Sequence, residues 1–297
     1  MKKKYAIICA ILAAAFYALS TPISKLILVE IPSTILAGLL YLGAGIGMSV
    51  VYIIRKKIIR EEKEESLTKN DLKYVIGMIV LDILAPILLL LSISLSSPSS
   101  VSLLNNFEIV ATSLIALFIF KEKIGKKLWL GIVFITVASI VLSLDFSEGL
   151  SFSWGSLLAL GACLCWGLEN NCTRSISDKN TYQIVILKGI FSGLGALIIG
   201  LVLKEQIGNW IYVIFALMLG FVAYGLSVFL YVVAQRYLGA ATTSSYYAIA
   251  PFIGCGLSFI FFKEIPHFTF FLALLIMIIG VVFVSIDKFK EEIKMEA

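Results

Sequence analysis

The feature that most limits what this chain can fold into is a succession of apolar blocks, each about as long as the 20 residues a helix needs to cross a hydrocarbon core. Hydrocarbon offers no partner to a bare amide or carbonyl. Each block must therefore close its own backbone hydrogen bonds, which a helix does and an open strand does not. Ten spans can be drawn, at 5–28, 33–54, 73–95, 99–120, 127–143, 153–175, 182–203, 210–234, 240–262 and 268–286. Composition agrees, since 60% of the 297 residues are hydrophobic and only 14% are charged, against about 25% charged in ordinary soluble domains. The expectation is an all-α membrane protein.

Lysine and arginine set the orientation. With the N-terminus placed inside, 20 of the 24 basic residues fall in inner segments, and only Lys204 and Lys263 fall in outer loops. Moving one boundary does not reverse that bias, so both termini are expected in the cytoplasm and the number of spans is even. The longest connection, RKKIIREEKEESLTKNDLK from Arg55 to Lys73, reads as a solvated amphipathic stretch. The first span follows Lys2, Lys3 and Lys4 but is longer than a signal core and has no small-x-small cleavage site, so it reads as a retained helix. The net charge of +5 sits mainly in loops, which makes nucleic acid a poor partner.

The chain also repeats itself. Phe120-Lys121-Glu122 closes span four and Phe262-Lys263-Glu264 closes span nine, a shift of 142. The same shift aligns Leu89 with Tyr231, Asn105 with Tyr247 and Asp145 with Asp287. Near the start of each half, Phe16-Tyr17-Ala18-Leu19 matches Cys165-Trp166-Gly167-Leu168 at a shift of 149, placing Lys25 on Arg174. Two units of five spans must face opposite ways, because five is odd. The expected fold is ten transmembrane helices as two inverted five-helix repeats, at 1–145 and 150–287, with 288–297 as a cytoplasmic tail. Many secondary transporters use such inverted repeats.

In this pattern, and in the stretches CLCWGLENNCTRSIS from Cys163 and SLLNNFEIVATSLIALFIFKEKI from Ser102, the chain resembles the EamA-type branch of the drug/metabolite transporter superfamily. The resemblance covers nearly the whole chain. It implies transport or export of a small metabolite, and a central cavity lined by spans one to four and six to nine, with spans five and ten behind. No P-loop is present, so transport is expected to be secondary rather than ATP-driven. Expected partners are a small-molecule substrate, protons and the lipid bilayer of the cytoplasmic (inner) membrane, with a homodimer as a further candidate. No cofactor or metal is expected.

An ionisable group inside a bilayer costs about 2.5–3.5 kcal/mol on insertion scales, so it faces a cavity or a partner. Glu108 shares a helix face with Asn105 and Thr112 and is read as a substrate or proton site, against a structural latch. Glu169 shares a face with Trp166, Asn170 and Thr173, and reads equally as cavity wall or as an ion pair with Arg174 or Lys188. Lys188 is read as a buried partner of Glu169 or Glu108, against snorkelling to the surface. Lys25, nearer a span end, reads as structural. Asp82, in mid-span three, has no evident local partner and reads evenly as cavity-facing or structural.

Aromatic residues form the second constellation. Tyr224, Tyr231 and Gln235 share a face of span eight, Tyr246 and Tyr247 lie in span nine, and Tyr17 and Trp166 are equivalent in the two halves. Rings with a few polar tips suit a small organic ligand, though packing explains any single ring. Pro22, Pro86 and Pro251 interrupt spans and are candidate hinges or fixed bends. Gly43 with Gly47, and Gly189 with Gly193, mark matching close-packing faces in spans two and seven. The five cysteines lie in apolar segments and read as packing residues. An intramembrane enzyme is the competing reading, but hydrolysis or acyl transfer calls for a histidine base, a metal cluster or paired aspartates. The one histidine, His267, falls in an outer loop. A membrane scaffold without transport is the third reading.

Overall fold

The computed structural model describes residues 2–58, 65–121, 125–145, 151–263 and 266–296. Glu122 and Glu264 of the repeated motif lie outside these residues, as does part of the charged stretch after Lys57. Eight helices among the described residues are long and apolar enough to cross a membrane, and they coincide with spans one to five, seven, eight and ten. Span six (Trp154–Arg174) is a full-length helix enriched in polar residues. Span nine is shorter because it is interrupted, and continues as Ala250–Phe262. Spans two (Ser33–Ile58), three (Leu72–Leu95), five (Lys126–Ser143), seven (Thr181–Val202) and ten (Phe268–Glu296) are continuous. The last helix thus runs on through most of the segment set apart as a tail.

The other spans are broken. Span one divides at Leu19 into Lys2–Ala18 and Ser20–Ile27. Span four divides at Asn105 and Asn106 into Pro98–Leu104 and Phe107–Phe120. Span eight begins as Ile211–Leu219, passes through π-helical turns at Gly220–Leu226, and continues into Ser227–Tyr247. That last stretch cannot be straight. The hydroxyls of Tyr231 and Ser244 stand 2.8 Å apart, whereas thirteen residues of straight helix would separate them by about 20 Å. The chain reverses between them, which separates span eight from span nine.

The repeat is visible in backbone detail. Span four ends at Lys121 and span nine at Lys263, both in the left-handed conformation, with φ of 55° and 49°. Span five opens at Lys126 and span ten at Phe268, and the breaks at Asn105–Asn106 and Ala248–Ile249 match within one residue at the shift of 142. The heaviest packing pairs span two with seven, five with ten, three with six and one with eight. Exchanging the halves leaves the first two pairings unchanged and swaps the last two, as a two-fold relation requires. A two-residue antiparallel ladder, Leu144–Asp145 with Ser151–Phe152, joins the units.

The outside of the bundle is apolar: Ile8, Ile46, Val50, Ile76, Phe118 and Ile198 are all exposed. Charge is held inside, where Asp82, Glu169 and Lys188 are buried. That inversion of the soluble pattern fits a multi-pass membrane protein. Small residues let the helices of the two halves meet. A Cβ on Gly189 would stand 2.4 Å from the Gly45 nitrogen, and one on Gly43 would stand 2.2 Å from the Leu217 carbonyl oxygen. Spans five and ten pack on each other behind the cavity, with Phe134 and Phe283 stacked at 5.7 Å.

Gly189→Val should therefore force spans two and seven apart and cost at least the 1–3 kcal/mol or so of an overpacked site. Gly256→Ala, whose added carbon meets nothing within 4 Å, should be neutral. Thermal unfolding of the two variants in detergent checks the contrast, and equal melting temperatures would contradict it.

Candidate functional site

Span six starts where Ser153 accepts a hydrogen bond from the Ser156 amide, an N-cap that fixes the register of the helix. That register turns Trp166, Glu169, Asn170 and Thr173 to one face, and all four line a cavity between the halves. Span seven starts under a similar cap, Asn180 accepting from the Gln183 amide, and carries Lys188 two turns further in. The Lys188 ammonium lies 2.9 Å from Glu169 Oε1 and 3.1 Å from Asp82 Oδ2. Asp82 also accepts a 2.8 Å hydrogen bond from Tyr41, and Glu169 accepts one from Thr173. All three groups are nearly withdrawn from the surface, which is tolerable because the ammonium pairs with both carboxylates and further hydrogen bonds reach each of them. Asp82 comes from the first half, while Glu169 and Lys188 come from the second.

Glu108, in the first turn of Phe107–Phe120, points into the same cavity. Asn170 of span six donates to its Oε1 at 2.6 Å and lies 3.4 Å from the Thr112 hydroxyl. Asn171 donates to the backbone oxygens of Gly167 and Thr112. A smaller cavity shares Tyr17, Glu108 and Tyr247 with the first and extends to Asn105, Asn106, Thr112 and Ser244 at the breaks in spans four and nine.

Rings close the other side. Tyr17 packs edge-on to Trp166 at 6.2 Å and to Tyr224 at 5.8 Å, and lies tilted to Tyr247 at 5.6 Å. Tyr41 lies 5.2 Å from Tyr224, and Tyr231 lies 4.9 Å from Tyr247. Such spacings are those of favourable aromatic pairs. Tyr17 and Trp166 are equivalent positions of the two halves, and a residue that touches its own counterpart lies near the axis relating them. The cavity therefore sits on the pseudo-two-fold. Its chemistry is not symmetric. At the repeat shifts, Asp82 corresponds to Tyr224 and Glu169 to Ser20. Where the acids meet through Lys188, their counterparts meet directly, Ser20 to Tyr224, at 2.9 Å.

The structure brings Glu108, Asn105, Glu169, Asn170, Trp166, Lys188, Tyr247, Tyr224 and Tyr17 to these two cavities, and Asp82 to the Lys188 ammonium behind them. Asp82 has partners that its local sequence does not reveal, because both Lys188 and Tyr41 come from other spans. Asn105 does not continue one helix with Glu108, since the helix breaks between them, yet both line the smaller cavity. Gln235 is buried but does not line the main cavity, and Tyr246 lines a separate apolar groove between spans one, nine and ten. The Lys25 ammonium donates to the carbonyl oxygens of Ile93 and Ser96 at the end of span three, where a helix terminus favours positive charge. Pro86 sits inside an uninterrupted helix, Pro22 lies in the first turn after the break at Leu19, and Pro251 occupies the first turn of Ala250–Phe262, where its missing N–H leaves no bond unmade. The tyrosine of span two, Tyr41, was not singled out by sequence reasoning, and only its alternation with the small residues of that span hints at an inward face.

Comparison with known proteins adds three findings. The EamA-like transporter family model matches residues 4–144 and again 153–286. An uncharacterized transporter of Methanothermobacter thermautotrophicus is 25% identical over 283 residues, 89% of this chain and 81% of that protein. A protein of known crystal structure superposes with a TM-score of 0.69 at 12% identity, over 95% of this chain and 96% of its own. At that identity the last likeness speaks to the fold alone.

Lys188→Met should leave two carboxylates buried together and destabilise the protein by about 3–5 kcal/mol. Glu169→Gln keeps the Lys188–Asp82 pair and should cost clearly less. Adding Glu169→Gln to Lys188→Met should recover part of the loss. Thermal unfolding of the three variants measures the order, and a Lys188→Met protein as stable as the parent would refute the pairing.

Proposed function

The chain belongs to the EamA-like transporter family, and we propose that it is a secondary active transporter, an exporter or exchanger of a small organic metabolite, working by alternating access across the cytoplasmic membrane. The observation that carries this reading is the placement of the polar cavity: on the pseudo-two-fold, between the halves, with its charged groups drawn from both. In that position a rocking of one half against the other alters access to the same site from opposite faces. The units that would move are those at 1–145 and 150–287.

Apolar clusters flank the cavity on both faces. Toward the connections between spans one and two and between three and four lies one with Ile27, Ile31, Leu36, Leu90 and Ile93. Toward the opposite face, which the positive-inside bias of the sequence makes cytoplasmic, lie one with Val75, Met78, Ile176, Ile184 and Val232 and another with Met48, Tyr182 and Val185. Glu108, whose hydrogen-bond partner is a neutral amide rather than a cation, is the group best placed to take up and release a proton during the cycle, while the Asp82–Lys188–Glu169 cluster holds the halves in register. A family of transporters points away from the enzymatic reading.

Flux in proteoliposomes tests the proposal. Efflux of a metabolite identified by thermal-shift screening should require the protein, and should respond to an imposed pH gradient. Glu108→Gln should abolish the pH response and lower flux at least about tenfold. Full flux with unchanged pH dependence in that variant would remove Glu108 from the coupling role, and absence of protein-dependent flux for every metabolite that binds would remove the transport reading.

A further inference from the structure

The groups that face the cavity are unbalanced in charge. Span four brings Glu108, span six Glu169 and span seven Lys188, with Asp82 of span three behind the ammonium, while spans one, two, eight and nine bring tyrosines. The one ammonium is already held by two carboxylates, Asp82 and Glu169, which leaves Glu108 over. Lys188 has no free charge to offer a ligand anion. Among the described residues no ion pair involves Glu108, whose contact is with the Asn170 amide.

Hydrogen-bonding capacity is unbalanced in the same sense. At the break in span four, Asn105 is 5% exposed and Asn106 1% exposed, and the side-chain oxygens of both are without a partner. The Asn106 amide nitrogen donates to the Leu103 carbonyl oxygen, which fixes which way that side chain faces. A buried acceptor left unmatched costs about 1–3 kcal/mol, and two in succession, beside a carboxyl group that no described cation pairs with, mark a place built to receive donors. The break itself directs them there, because both asparagines line the smaller cavity with Glu108 and Tyr247. The tyrosine rings next to it supply what a positive centre prefers, electron-rich aromatic faces.

We infer that the substrate is an organic cation, an ammonium carried on an apolar body, whose nitrogen lies among Glu108, Asn105 and Asn106 while its apolar part rests against Tyr17, Trp166 and Tyr247. This names the substrate class of the transport site and rests on the transport reading for its role in flux. The site discriminates by what it lacks. A carboxylate or phosphate group would enter among carboxylates and carbonyl oxygens with no free cation to meet it, so anions are excluded and a zwitterion is disfavoured at one end.

Isothermal titration of the purified full chain with three matched probes, 2-phenylethylamine, 3-phenylpropionate and phenylalanine, tests this at neutral pH. The amine should bind saturably, and the anion and the zwitterion should bind at least about tenfold more weakly or not at all. Glu108→Gln should weaken the amine about tenfold or more, and Asn106→Leu should weaken it as well. If a variant fails to fold, the order of the three probes on the unaltered protein decides. No saturable amine binding, a tighter anion or zwitterion, or amine affinity unchanged in a folded Glu108→Gln protein would each overturn the inference. Amine binding without amine flux would overturn the transport reading and leave the cation site standing. Flux of some other metabolite without amine binding would do the reverse.

Discussion

A charged side chain in hydrocarbon has no solvent to turn to, and that constraint organises this protein. Lys188 is buried in span seven, and its burial is compensated by an ammonium shared between Asp82 and Glu169. Because Asp82 belongs to the first half and the other two to the second, neutralising the charge also joins the halves. The cavity lies against this junction, and so do the residues that line it.

Antiparallel repeats give the backbone an approximate two-fold symmetry, but the side chains do not keep it. Tyr17 and Trp166 meet across the axis as equivalent positions with different rings. The ionic cluster has as its counterpart a single neutral hydrogen bond between Ser20 and Tyr224. The Asn170–Glu108 contact corresponds to Thr21 and Ala250, a pair without charge. A symmetric scaffold thus supports two related conformations while an asymmetric lining places all the charge on one side of the axis. Directionality can be built from that difference, since exchanging the conformations of the halves does not exchange their chemistry.

Much of the fold is legible in the sequence because the bilayer simplifies the physics. Block length fixes the spans, and the Phe-Lys pairs at 120–121 and 262–263 mark matching helix ends that the backbone repeats as left-handed lysines. The glycines of spans two and seven announce their close approach. The helical face of span six gives Trp166 and Glu169 their common direction by periodicity alone, whereas the face read for span eight fails at Gln235, because π-helical turns interrupt that span. What the sequence hides is long-range or irregular. Asp82 and Lys188 are more than a hundred positions apart, and nothing local to either names the other. The break at Asn105–Asn106 carries no proline or glycine, and only a doubled asparagine in an apolar run signals it, whereas Pro86, the conventional signal, lies in an unbroken helix. Spans six and nine are legible as crossings, but not that the polar residues of the first serve the cavity or that the second is divided at Ala248–Ile249.

Two like units lie in the membrane facing opposite ways around a shared site. Lys121 and Lys263 end equivalent helices of those units and are both exposed. With the five native cysteines replaced, single cysteines introduced as Lys121→Cys and Lys263→Cys can be labelled in sealed vesicles of known orientation with a membrane-impermeant thiol reagent. Labelling is expected from opposite sides, position 121 from the cytoplasmic face and position 263 from the outer face. Labelling of both from the same side would contradict that arrangement.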